Sequence, residues 1–256
     1  MIVLIHHETP WMLDYAQYLN NRHISYVDFS WRQLVRSSQI DHRDGSIIWI
    51  CDGITIDYHQ VSGIIHQDLS YLDKVIGCHP SDQSYYVSSW MAYFMYMLSD
   101  HDNVFNPVQH NSPSWYGIGH DRMNDYAKIL GFVDWSKRDL LRHPCKKVRV
   151  FMVDDRMFAW DDCHQDWCKI GKLLRFQLKA LRKKLHCRLI TVDVIDCAGQ
   201  YALSSWCLGL YFEKGNYPRD EIYACLTDAC LSGSKPGERL LSPLFIDLEK
   251  RPKVQP

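Results

Sequence analysis

The sequence predicts an α/β fold with a mostly parallel opening sheet and an antiparallel second half, and three observations carry this. Ile2-Val-Leu-Ile5 is a short unbroken apolar run of the kind buried in parallel sheets. An amphipathic stretch and a second apolar run follow within about thirty residues, which makes a βαβ opening. Further on, two long β-rich stretches, 147–159 and 189–211, flank a single leucine-striped helix, a pattern suited to hairpins and antiparallel pairing.

The elements follow in order. Trp11 to Asn20 sets Trp11, Tyr15, Tyr18 and Leu19 on one helical face, and Ile24 to Phe29 is the second strand. The first turn, His6-His7-Glu8-Thr9-Pro10, carries no glycine-rich phosphate fingerprint, which argues against a Rossmann nucleotide site. Ser46–Cys51 and Ile54–Asp57 form a hairpin about the Asp52-Gly53 turn, and Val61 to His66 is another buried strand. Ser81 to Leu98 is a helix rich in Tyr, Trp and Met, suited to core or to an interface with another chain. Asn103-Val-Phe-Asn-Pro107 is a short strand ended by proline. Asp121 to Gly131 is a helix. Lys147 to Ala159 is a hairpin, and Asp166 to Leu185 is a helix with Ile170, Leu173, Leu174, Leu178, Leu181 and Leu185 on one side. Leu189–Ile195, the Ala198-Gly199 turn, Gln200–Tyr211 and the helix Arg219–Leu231 complete the pattern. The proline-containing tail from Ser232 is expected to run extended over the surface.

Composition excludes several classes. A formal charge of −1 gives no global attraction to nucleic acid or membrane. No apolar run reaches the roughly 18–20 residues of a membrane span. Met1 to His7 lacks the basic start and cleavage site of a signal peptide, so a cytoplasmic address is expected. There, the ten cysteines are expected to be reduced thiols, with Cys197 and Cys207 acting as small buried hydrophobes. Cys163-His164 with Cys168 lacks a second half at zinc spacing, so no metal site is expected.

The order of these pieces resembles the ATP-grasp superfamily, in particular its peptide-modifying and glutamate-ligase-like branches. Val104-Phe-Asn-Pro107 resembles the family's Val-Asn-Pro strand end, and Asn124 to Phe132 is similar to its Gly-Phe helix end. Val148 to Ala159 is similar to its Arg-Val-x-Val-Val-Gly-Asp-x-Val-Phe-Ala hairpin, with Asp154-Asp155 in place of Gly-Asp. The resemblance implies a phosphate-facing role for Arg149 and a magnesium-holding role for Asp193. It also implies a Glu-x-Asn pair on the strand after Gly199, and counting places that pair on Ser204 and Trp206, neither a hard ligand for Mg²⁺. Glu213 with Asn216 offers a shifted imitation.

The same resemblance locates a gap. The family's nucleotide-clamping lobe belongs between Gly131 and the hairpin, where this chain has only residues 132 to 146. Several strands of roughly 5–6 residues each cannot be built from that length. The implied organisation is an α/β pre-domain over 1–110, a linking helix with a shortened segment over 111–146, and a reduced C-terminal half-lobe over 147–256.

The leading expectation is therefore a diverged, non-catalytic ATP-grasp-like protein that binds a peptide or protein partner alongside a companion modifying enzyme, with no cofactor. Arg149, Asp193 and Glu213 are the candidate remnants of catalysis. The helix cations Lys172, Arg175, Lys179 and Arg182, prolonged by Lys184, His186 and Arg188, are a candidate dock for an acidic partner. His6 and His7, at a strand's C-terminal end, and His120 are candidate binding or acid–base groups. Two alternatives stay open: an active carboxylate–amine ligase using Mg-ATP with a lobe supplied by a partner or second subunit, and a different enzyme in the emptied cleft. A homo-oligomer is compatible with all three; nucleic acid is disfavoured.

Overall fold

The computed structural model describes residues 1–7, 9–43, 46–67, 76–99, 101, 103–106, 120–133, 145–212, 217 and 219–232. The elements are β1 (Ile2–His6), α1 (Pro10–Asn21), β2 (Tyr26–Ser30), α2 (Trp31–Ser37), β3 (Gln39–Arg43), β4 (Ser46–Cys51), β5 (Ile54–Asp57), β6 (Gly63–His66) and α3 (Gln83–Ser99). They continue with β7 (Val104–Phe105), α4 (His120–Ile129), β8 (Cys145–Val153), β9 (Arg156–Asp161), β10 (Asp166–Trp167), α5 (Lys172–Lys184), β11 (Leu189–Cys197), β12 (Gln200–Leu208) and α6 (Arg219–Leu231). The tail beyond Ser232, the segments 107–119 and 134–144, and Glu213 with Asn216 lie outside the described residues.

The opening strands form a parallel sheet in the order β2-β1-β6-β7. Every residue of β1 is buried, as its unbroken apolar run requires of a strand covered on both faces. Ile2, Leu4 and Ile65 face α1 and α6, where they meet Met12, Tyr15, Leu19, Ile222 and Leu226. Val3, Ile5 and Ile64 face the opposite way, toward Trp31 and Leu34 of α2, Trp49 of β4, and Phe94 and Met97 of α3. The β3-β4-β5 hairpins form their own antiparallel sheet. Asp52 and Gly53 both have positive φ, 51° and 79°, which is what a two-residue hairpin turn of this hand demands.

The second half is a five-stranded antiparallel sheet in the order β10-β9-β8-β11-β12. Val148, Val150, Ile190, Val192 and Val194 pack on one face against α4 and α5. Phe151, Val153, Trp160 and Leu189 on the other face join the α1–α6 core, so this core lies between the parallel and antiparallel sheets.

Four features differ from the sequence expectations, and the burial of Arg188 is a fifth. α2 and β3 went unread, although Ser30 and Gln33 form a reciprocal capping box that marks the start of α2. The helix expected from Asp166 begins at Lys172. Asp166 and Trp167 are instead drawn into β10 opposite Asp161 and Trp160. Within that helix Leu173 faces solvent at 56% exposure, while Leu174, Leu178 and Leu181 face inward together with Gln177, whose Nε2 donates to Leu130 O after α4. Finally, Cys145 and Cys197 are disulfide-bonded, against the expectation of reduced thiols and of Cys197 as a packing residue. The β8–β11 register sets them directly opposite each other, with Cα atoms 4.4 Å apart. The eight other cysteines are free.

Arg188, expected on the basic surface, is buried and ties the two sheets together. Its Nε and Nη2 donate to the Asp154 carboxylate at 2.7 and 2.9 Å, its Nη1 donates to Asn103 Oδ1, and its guanidinium lies over the Phe105 ring. Asn106 has φ +57° at the end of β7, and its Oδ1 accepts from the backbone N–H groups of Arg188 and Leu189. Asp154, at φ +51°, is the left-handed turn residue of the β8–β9 hairpin. Removing the Arg188 side chain leaves a half-buried carboxylate and an amide uncompensated. An Arg188→Ala variant is expected to lose about 3 kcal/mol in urea unfolding; a change within 0.5 kcal/mol would show that the clamp does not hold the sheets.

Candidate functional site

Arg149 sits at the centre of β8. Its neighbours Val148 and Val150 face α5, so strand alternation sends Arg149 to the opposite face, and β11 delivers Asp193 beside it through the Arg149↔Asp193 register pair. Arg149 is completely buried. Its Nε donates to Asp193 Oδ1 at 2.6 Å and its Nη2 to Oδ2 at 2.9 Å, a two-pronged pair. Ser205 Oγ donates to Oδ2 at 2.8 Å, and Lys147 Nζ lies 3.1 Å from the same oxygen. Four donors thus converge on a carboxylate that offers about four lone-pair positions.

The network extends outward. Arg149 Nη1 donates to the Tyr217 hydroxyl at 3.2 Å, and that hydroxyl donates to Asp162 Oδ1 at 3.4 Å. Asp162 Oδ2 lies 3.7 Å from Lys147 Nζ, and the Tyr211 ring lies over the Arg149 guanidinium. Burial alone would raise the Asp193 pKa, but the hydrogen bonds and charge of Arg149, with Ser205 and Lys147, outweigh it and hold the carboxylate below its ordinary range.

The described residues, as paired, do not fit Mg²⁺. The anion that would bind a hard dication already faces two permanent cations, and the opposing strand adds no second carboxylate. The β11–β12 pairing carries a bulge at Asp193/Val194, with Asp193 opposite Ser205 and Val194 opposite Leu203. Ser204 is the extra residue of that bulge, and Trp206 packs toward the α5 side. The positions facing Asp193's side of the sheet are therefore Ser205 and Cys207, one residue on from the count made along the chain. Cys207 is a partly buried thiol whose pKa is pushed up to about 11, chiefly by desolvation, and thiol sulfur is a soft donor unsuited to Mg²⁺.

The remaining predicted residues are dispersed. His6 is buried at the end of β1, with Nε2 2.7 Å from Asp28 Oδ1 but without the alignment of a hydrogen bond, and it takes no part in the Arg149 network. The His7 backbone N–H donates to Gln67 Oε1. His120 opens α4, but its side chain, like Glu213, is outside the described residues. Lys172, Arg175, Lys179 and Arg182 all lie on α5, across the sheet from Arg149 and Asp193. Arg182 is engaged by Asp155 Oδ1 at 2.7 Å and by Cys187 O. His164 is held through Nδ1 by Asp161 Oδ2 at 2.9 Å, and no group of three His, Cys, Asp or Glu side chains is placed to hold a metal among the described residues. Sequence reasoning missed Lys147, Asp162, Ser205 and Tyr217. Only Lys147 carried a usable signal, since it lies two residues from Arg149 on the same strand face.

The architecture has solved counterparts. The macrocyclase MdnC from Microcystis aeruginosa, bound with its precursor peptide MdnA, superposes with a TM-score of 0.66 at 12% identity, covering 90% of this chain and 99% of that one. A RiPP-associated ATP-grasp ligase from Chryseobacterium gregarium, in complex with ADP and a leader and core peptide, gives 0.64 at 10% identity, covering 94% and 99%. The ATP-grasp ligase PsnB, complexed with a minimal precursor, gives 0.63 at 13%, covering 91% and 98%. The chain has an ATP-grasp-like fold. No protein-family model and no curated protein matches the sequence. At these identities the ATP-grasp-like likeness extends to the fold alone, and the site must be judged on its own residues.

The lowered Asp193 pKa has a definite sign. Its folded value lies below the roughly 3.9 of an unfolded aspartate, so the stabilisation is present above that pH and is lost as pH falls through the folded value. Asp193→Asn strands a buried guanidinium and is expected to cost about 3–5 kcal/mol at pH 7. Its deficit relative to the parent should shrink between pH 5 and pH 3 in denaturant titrations, and a deficit that stays constant over that range would refute the assignment.

Proposed function

We propose that this chain is a diverged ATP-grasp-like protein that binds a peptide or protein partner and does not itself ligate. The observation that carries the reading is the saturation of Asp193: the carboxylate that would anchor a metal is committed on every side to Arg149, Lys147 and Ser205. Phosphoryl transfer relies on cations clamping phosphates. Restoring Asp193 to a metal would require breaking a buried ion pair. Arg149 and Asp193, with Glu213 if its side chain reaches them, are then remnants held for structure.

A peptide partner is supported by the company the fold keeps, since MdnC, the Chryseobacterium gregarium ligase and PsnB were each solved with a peptide or precursor. The surface that suits one here is α5. It carries Lys172, Arg175, Lys179, Lys183 and Lys184 and no acidic residue, with Arg182 held beside them by Asp155, while Leu173 and Phe176 stand outward at 56% and 70% exposure. Cations surrounding two exposed apolar anchors favour an acidic, amphipathic segment. Such a segment could be presented by a companion modifying enzyme or by the precursor of a modified peptide. The conclusion needs neither a resident cofactor nor a membrane, and no helix among the described residues is long and apolar enough to cross one.

Calorimetry tests both halves. Mg-ATP added to the isolated chain is expected to give no heat of binding at millimolar nucleotide, and tight, metal-dependent binding would restore the ligase reading. A synthetic helical peptide bearing Glu at its polar positions and Leu and Phe at its apolar ones is expected to bind. The affinity should fall at least tenfold in a Lys172→Glu/Arg175→Glu/Lys179→Glu variant, with a shallower salt dependence. Equal affinity for parent and variant would remove α5 as the dock.

A further inference from the structure

The Cys145–Cys197 disulfide stands in a chain whose eight other cysteines are free. So many unpaired thiols suit a reducing environment, where a disulfide lasts if it is shielded and is exchanged if it is not. This one is not shielded. It lies at the outer tip of the second sheet, joining the first residue of β8 to the last of β11. Cys145 is half-buried, and a cleft of about 330 Å³ lined by Cys145, Lys146, Asp196, Ala198 and Gly199 opens beside it. Ala198 and Gly199, the turn residues before β12, are exposed. A small thiol therefore has an approach to Cys145 Sγ, whereas Cys197 is buried and is reached through its partner.

The same tip is weakly laddered. β9 pairs with β8 from Val148 onward, so Cys145, Lys146 and Lys147 are strand-paired to β11 on one side. One further bond, from Asp162 N–H to Lys147 O at 3.3 Å, supports the other side. This short stretch carries Lys147, whose Nζ lies 3.1 Å from Asp193 Oδ2 and 3.7 Å from Asp162 Oδ2. The disulfide thus pins the strand end that delivers a cation to the buried Arg149–Asp193 pair. Strand ends held by few bonds are where local opening is least costly.

We propose that Cys145–Cys197 is an exchangeable latch, whose reduction by a small thiol such as glutathione frees the first three residues of β8 and withdraws Lys147 from Asp193 and Asp162. One thiolate attacks Cys145 Sγ, forming a mixed disulfide there and expelling Cys197 as a thiolate. A second thiolate attacks the small-molecule sulfur of that mixed disulfide and expels Cys145. The two incoming thiols give up two electrons and leave joined as their own disulfide, and their two protons end on Cys145 and Cys197. Arg149 and Ser205 continue to hold Asp193, so the sheet stays folded. The ladder from Val148 inward keeps the register, so the two thiols remain neighbours and the small-molecule disulfide re-forms the bond by the reverse steps.

The test uses the folded, oxidised full chain in a glutathione buffer with the reduced form in large excess. Thiols are trapped by alkylation and located by mass spectrometry. Cys145 and Cys197 are expected to gain label together while the circular dichroism spectrum is unchanged, and oxidised glutathione is expected to restore the bond. Hydrogen exchange over 145–147 should quicken about tenfold on reduction, with 149–153 as slow as before. Labelling of Lys147 by an amine-reactive probe should rise. A Cys145→Ser/Cys197→Ser variant is expected to show the reduced pattern in either buffer. A bond that glutathione leaves intact in the folded protein is a structural staple and overturns the proposal. So does a bond that oxidised glutathione fails to re-form, or a reduction that leaves exchange at 145–147 and the labelling of Lys147 unchanged.

Discussion

A guanidinium with no access to water must have an anion beside it at all times, and this requirement at Arg149 organises the second half of the molecule. Asp193 answers it in a two-pronged pair across the central strands. Its own remaining lone pairs then need donors, which β8 and β12 provide as Lys147 and Ser205. The third guanidinium nitrogen needs an acceptor, and Tyr217 fills that place from the segment before α6. Burying a charged pair is not in itself a gain in stability over an apolar core. What it imposes is a geometric requirement: the Arg149 and Asp193 groups are matched when β8, β11, β12 and the approach to α6 meet in this register.

The contact between the two sheets works by a related rule with different groups. Asn106, in the left-handed region, turns its amide to the edge of β11, and Asn103 Nδ2 reaches Cys230 O at the end of α6. Gly63 lets the same helix end approach β6, since a Cβ there would stand 3.0 Å from Cys230 Cα. Arg188 then closes the hairpin turn onto Asn103. The apolar core between the sheets supplies most of the driving force. These directed bonds fix the register in which it is buried.

The fold was legible where periodicity was strong. The opening βαβ, the Asp52-Gly53 hairpin, the 147–159 hairpin and α6 all lie where apolar spacing and turn residues put them. Apart from α2, whose capping box is a local signal, the misreadings share one cause, interaction with a distant part of the chain. Gln177 faces inward to bond Leu130 O, Trp167 pairs with Trp160 as a strand, and Arg188 is held inside by Asn103 and Asp154. Pairing of Cys145 with Cys197 likewise depends on a register set across 52 residues. In the site, Arg149 and Asp193 could be read because each stands in a motif. Ser205 could not, because a bulge shifts the face of β12 by one residue and leaves no mark in composition. Tyr217 and Asp162 come from separate segments whose meeting only the packed structure shows.

The pairing also bears on which residue suits the facing position of β12. A buried arginine needs its counter-ion at all times, and Asp193 lies on the adjacent strand, directly opposite in register, where it serves without any distortion of the pairing between β8 and β11. With Asp193 so committed, a neutral serine that donates to it is more stabilising at position 205 than a glutamate, which would set a second negative charge against the first. The serine there is thus accounted for by the pairing of Arg149 with Asp193.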